Sequence, residues 1–447
     1  DQLAIGCCTG RWIQGDSSFN VCLAGAGVTA TAAGTLCACR VAANKYLDDC
    51  KNNFIAGSCA GLGVTLSSLV CSNILIGCNA GRSLDTQCNV IAIGRNAASC
   101  LSESVGQSVF VGRDAGQYLG RTGCGSYGNV YLGTDAGKFF VGGCSNVAIG
   151  FLAGRGIDGC VAGNMNINIG WQAGRDQKGS GNNISMGRNA GFSLSTGQGN
   201  NIFMGNSVGR YMISGAKNVA LGFVAYHKDC TGSNNVIIGN YAAACATALS
   251  GEIYIGQSAG RCGTGSYHNV GIGVNALRFI TTGKRNTVLG RCAGMYTNTG
   301  RDNVMLGTSS GKFNTCGCFN VFLGNGAGSA NTTGSYNVFL GLAAGTGNTV
   351  TSHSIAIGTY AGRCGKNSHA IAIGCRAGEK ICTNTSTDNI AIGRIALQGT
   401  SGKMDGDSCR NVAVGAYAGV YHTAGRHNVT LGFTAGRHNR GGDDNIA

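Results

Sequence analysis

The stretch Asn146-Val147-Ala148-Ile149-Gly150-Phe151-Leu152-Ala153-Gly154 decides the fold. Its first five residues centre on Val147, Ala148 and Ile149, an apolar, partly β-branched run too short for a helix, so they read as one short strand. The glycine that closes the strand supplies a turn conformation that a Cβ would disfavour. The Ala-Gly pair that follows implies close backbone approach.

The same unit returns from one end of the chain to the other. Aligned on the closing glycine, about 25 units are found, and from Gly205 to Gly358 the anchors are 17 residues apart every time. Elsewhere the spacing runs from 15 to 22, and near the start the anchors read as Gly6, Gly25 and a degenerate Arg40. A period this short has no room for a crossover helix. The expected fold is therefore all-β, a parallel β-solenoid (β-roll or β-helix) of about 25 short coils with a ~17-residue period. At about 4.8 Å per stacked strand it would be roughly 120 Å long. No coil has a core of its own, so the stack is the unit of stability. Residues 1–447 read as one continuous solenoid, with less regular Cys-rich coils in 1–76 and regular repeats in 77–447.

Composition agrees. There are 79 Gly and no Pro in 447 residues, without the every-third-residue glycine of collagen. Pro cannot donate to a ladder, and its absence suits a chain whose N–H groups are needed in sheets. Hydrophobic residues are 43% and charged residues 12%, the reverse of a disordered composition. A net charge of +14 permits an anionic partner without naming one. No nucleic-acid module and no membrane-spanning apolar run is present, so neither partner is expected. Twenty-four cysteines, an even number, point to an oxidising, extracellular setting, as a secreted fibre or on a cell or virion surface.

The columns of the alignment assign roles. Asn stands four before most anchors, as at Asn201, Asn218, Asn235, Asn269, Asn286, Asn303, Asn320 and Asn337. Stacked Asn side chains are expected to form a hydrogen-bonded ladder. The Val/Ile three before and the Ile/Leu/Met one before the anchor are read as the interior face, by strand alternation. The residue between them then points out, yet it is apolar, as in Phe203, Tyr254, Met305, Phe322 and Phe339. A strand apolar on both faces is buried on both. These five are therefore expected to form an oligomer interface between copies of the chain. The chain opens and closes in mid-strand, which reads as a piece of a longer array or a head-to-tail filament.

The unit NVxLGxxAG, as in Asn218-Val219-Ala220-Leu221-Gly222 and in 146–154, resembles the Gly/Asn-rich repeats of bacteriophage and giant-virus tail fibres. It is also similar to the head repeats of trimeric autotransporter adhesins. The resemblance covers nearly the whole chain and implies trimeric fibres and surface attachment. The 24 Cys and the longer period depart from those families.

Other constellations are weighed against plainer readings. Cys71 with Cys88, Cys245 with Cys262, and Cys22 with Cys37 sit at matching positions of adjacent coils. Stacking would bring each pair within disulfide range, with buried thiols or inter-chain bridges as the alternatives. A basic column five after the anchor, including Arg155, Arg175, Arg210, Arg261, Arg278 and Lys312, reads as a solvated edge or a binder of acidic glycan. His268, His353, His369 and His427 share one column, with no third metal ligand evident. Acids occur as local pairs, such as Asp405 with Asp407, not as the facing carboxylates a glycosidase needs. Asn331 and Asn384 are glycosylation candidates in turns, whereas the sequons at Asn183 and Asn428 fall on the ladder. The expectation is a non-enzymatic, cofactor-free structural subunit of an extracellular filament, associating with copies of itself as a homotrimer or filament. The alternative is an adhesin or viral attachment fibre that binds surface glycans.

Overall fold

The computed structural model describes 53–61, 72–84, 87–101, 105–119, 126–139, 142–157, 163–194, 199–229, 231–363, 369–380, 387–399, 408–422, 425–439 and 442–447, and, as backbone only, the strands Gln2–Ile5, Asn20–Leu23 and Thr35–Ala38. Every regular element among these residues is a strand. Strands at the repeat position number 25, mostly of three residues, and complete turns about 19. The chain is a parallel β-solenoid and divides into two compact units, residues 1–231 and 232–447.

In each unit a strand pairs with the same residues of the next repeat. In the first, Val130–Leu132 lies parallel to Val147–Ile149, with Tyr131 opposite Ala148. In the second, Val304–Leu306 lies parallel to Val321–Leu323, with Met305 opposite Phe322. The pairing continues beyond the strands. The anchor Gly324 donates its N–H to Leu306 O at 2.8 Å, and Gly328 in the Ala-Gly segment donates to Ala344 O at 2.9 Å. Turn backbone thus also bonds to the next coil, which is why a chain without Pro fits: a Pro at such a position would drop a rung.

The anchor needs glycine twice over. Gly307 has φ +125°, outside the range of ordinary L-residues. A Cβ there would lie 2.6 Å from the carbonyl oxygen of Gly324 in the next coil.

Two expectations are corrected. The first concerns which face of the strand is inside. The usual burial pattern is half-buried, buried, half-buried, so the middle residue points in and its Val/Ile/Leu neighbours point out. Phe203, Tyr254, Met305, Phe322 and Phe339 are all fully buried inside the coil and form no outer interface. Phe322 and Phe339 stack on each other there at 5.1 Å. The reason is parity. The ladder Asn lies two residues before the middle position, and strand alternation puts both on one face. An Asn whose side chain bonds to the ladder and to its own coil's backbone belongs inside, and it takes the middle residue in with it.

The second concerns the first anchors. Ile5 pairs with Leu23, Leu23 with Ala38, and Ala38 with Ala56. Leu23 and Ala38 therefore stand in the last strand place before the anchor, so Gly25 and Arg40 were read one residue too far along the chain.

Candidate functional site

The coil presents four features with chemical content. The innermost is the Asn ladder. Asn201, Asn218, Asn235, Asn269, Asn286, Asn303, Asn320 and Asn337 are all fully buried. Asn303 shows the bonding. Its backbone N–H and Nδ2 donate to Asn286 Oδ1 at 3.1 and 2.9 Å, and Nδ2 also donates to Gly317 O at 2.9 Å. Its own Oδ1 accepts the N–H and Nδ2 of Asn320 at 3.0 and 3.1 Å. Both ends of the amide are satisfied, which a buried amide requires.

Glu252 occupies one place in this ladder and is fully buried. Its Oε2 accepts the Asn269 N–H and its Oε1 accepts Asn269 Nδ2, both at 3.0 Å. Burial pushes its carboxyl up to about 7, against hydrogen bonds from Tyr254, Asn269 and Ser266 that favour the charged form.

A second inward column stands seven after the anchor, at Thr297, Asn314, Asn331 and Asn348. Asn331 Nδ2 donates to Asn314 Oδ1 and to Gly334 O. Asn331 is thus an interior residue with its amide nitrogen engaged, not an accessible turn residue, and its reading as a glycosylation candidate is corrected. The missed signal was the 17-residue recurrence of Asn at this second column. Asn384, Asp405 and Asp407 lie outside the described residues.

The cysteine pairs sit as follows. Cys245 donates its N–H to Arg261 O and Cys262 donates to Arg278 O, which places the two cysteines in register on adjacent coils. Both are thiols; burial, with the neighbouring Cys245, pushes the Cys262 thiol up. Strand pairing sets Cys22 directly beside Cys37. Cys88 is half-buried, and Cys71 lies outside the described residues. In the histidine column, His353 and His369 stack at 5.1 Å, His268 packs edge-on against Tyr267, and His427 Nδ1 lies 3.4 Å from Asp444 Oδ1.

The third feature is the outer side of the strands. From Val236 to Leu431 the outward positions are Val, Ile or Leu in every strand except at Thr287. They are half-buried at most positions and exposed at Thr287, Leu289, Ile357, Ile392 and Leu431.

The fourth is a face where cations lie over rings. Arg261 lies 5.6 Å from the Tyr241 ring of the preceding coil, and Arg278 and Lys312 lie 5.0 Å from Phe279 and Phe313. Phe279, Tyr296 and Phe313 are themselves stacked at 5.1 Å per step.

No family model, no curated protein and no solved structure matches the chain.

Proposed function

We propose that the chain is a non-enzymatic structural subunit of an extracellular fibre or filament, whose partner is a second copy of itself. The observation that carries this reading is the outer strand face. In the second unit it is an uncharged double column of Val, Ile and Leu, interrupted only at Thr287, along twelve successive strands, from Val236–Ile238 to Val429–Leu431. At about 4.8 Å per strand and a width of about 10 Å, it covers roughly 550 Å². Two such strips face to face bury on the order of 1,100 Å², about what a specific interface needs. Contiguous apolar surface on that scale marks an interaction site.

A copy of the chain is the partner that fits. Its ribs have the same spacing by construction, so side chains of one sheet can settle between those of the other all along the stack. The even number of cysteines supports an extracellular role.

Analytical ultracentrifugation of the full chain and of a Leu323→Lys/Leu340→Lys double variant tests the idea. Both residues point outward, so the solenoid should persist while association weakens by at least tenfold, about 1.4 kcal/mol. A wild-type chain that stays monomeric at tens of micromolar, or a double variant that associates unchanged, defeats this reading.

A further inference from the structure

The positions one, two, five and six after the anchor form one continuous outer face. Arg394 and Arg437, at the first and third of these, both lie over the Tyr417 ring, at 4.7 and 5.9 Å. Arg261, from the third, lies over Tyr241 at the second. In four consecutive coils of the second unit this face carries one cation per coil: Arg261, Arg278, Arg291 and Lys312. None of the four makes an ion pair among the described residues. The two acids in this stretch are elsewhere, Glu252 inside the ladder and Asp302 held by Arg285 at 2.7 Å.

The cations are also fixed in place. Phe279, Tyr296 and Phe313 stack with planes within 9° and 5° of parallel, and Arg278 and Lys312 lie over the two outer rings of that stack. The Arg278 Nε is buried against this floor with no acceptor. Cation–π contact explains the seating of Arg261, Arg278 and Lys312. It does not explain Arg291, which is exposed and keeps the series at one positive charge per coil. Like charges held at a fixed rise repel one another, and an anion that spans them relieves the repulsion.

We propose that this face binds a linear acidic polysaccharide, with uronate or sulfate groups, lying along the stack and meeting one cation per coil. Guanidinium suits both groups, because its fork can bond two oxygens at once. Pre-seated side chains lose little freedom on binding. Single-stranded nucleic acid fits less well. It needs open ring faces for its bases, and here the stacked rings cover one another. The inference stands apart from self-association, which uses the outer face of the strands.

The test is titration of the full chain with heparin, polygalacturonate, neutral dextran and oligothymidylate, at about 50 and about 200 mM salt. The wild type should bind heparin or polygalacturonate, more weakly at the higher salt, and should ignore dextran. An Arg278→Gln/Lys312→Gln variant should bind about tenfold more weakly. A Lys284→Gln/Arg301→Gln variant loses the same charge from a different column and should change by less than about twofold. Exchange of the two cations, Arg278→Lys with Lys312→Arg, should keep binding and so separate charge from folding. Equal loss in both Gln variants would mean that net charge alone is at work and would overturn the proposal. So would oligothymidylate binding as tightly as either glycan, or no binding to either.

Discussion

Glu252 stands where the stack is built for an asparagine. An Asn there would donate from Nδ2 into its own coil, as Asn269 does to Gly283 O. A carboxylate cannot donate, and the coil has a serine, Ser266, where the next four coils have Gly283, Gly300, Gly317 and Gly334. The folded carboxyl titrates near 7 against an ordinary 4.5. Between those values the folded chain holds more protons than the unfolded one. Its contribution to stability is therefore fully present below pH 4.5 and is lost as pH rises towards 7. Glu252→Gln should flatten that dependence: near parity with wild type at pH 4.5, and about 3 kcal/mol more stable at pH 8. Urea denaturation at the two pH values measures it, and a wild type equally stable at both refutes it. A second residue carries backbone strain. Ile395 has φ +62°, a left-handed conformation that β-branched side chains resist. Asn tolerates it, so Ile395→Asn should raise stability by about 1 kcal/mol, read from the denaturation midpoint.

A coil is defined by its anchor glycine and its ladder asparagine. Gly307 cannot take a Cβ without moving the backbone of the next coil, since the Gly324 carbonyl lies 2.6 Å from where it would be. Gly307→Ala should cost about 3 kcal/mol or more, combining left-side φ strain with the clash. The effect should be far larger than at Gly265, where nothing lies within 4 Å of an added Cβ. Matched thermal melts of Gly307→Ala and Gly265→Ala check this, and similar midpoints would contradict it. Asn303→Ala removes four side-chain hydrogen bonds at once and leaves the Asn320 backbone N–H unpaired in the interior. It should cost about 3 kcal/mol.

At the scale of the molecule, stability is a sum over neighbouring coils. A lesion such as Asn303→Ala should therefore open its own neighbourhood before the distant coils. Hydrogen exchange followed by mass spectrometry should show lost protection centred on coils 286–320, with little change beyond them. Uniform loss across the second unit would show that it unfolds as one body. The outer faces divide the work in a different way. Lys at the outward positions 323 and 340 should leave the midpoint within about 1 kcal/mol of wild type while changing association, because those side chains do not enter the core.

The sequence by itself determined the repeat, the short parallel strand, the glycine anchor and the stacking of equivalent residues. These follow from local chemistry repeated at a fixed period: β-branched runs, a position that favours glycine, and Asn at one offset. It did not determine which side of the strand is inside. Val304, Met305 and Leu306 are all apolar, so alternation carries no sign. Only closure of the coil decides it, by turning the ladder Asn inward and carrying the middle residue with it. The same closure takes Asn331 out of a seeming surface turn into the interior. It also brings Arg394 and Arg437, at different offsets of their own coils, over one tyrosine. Offsets within a unit say which residues will stack, but only the path of the coil says which columns meet.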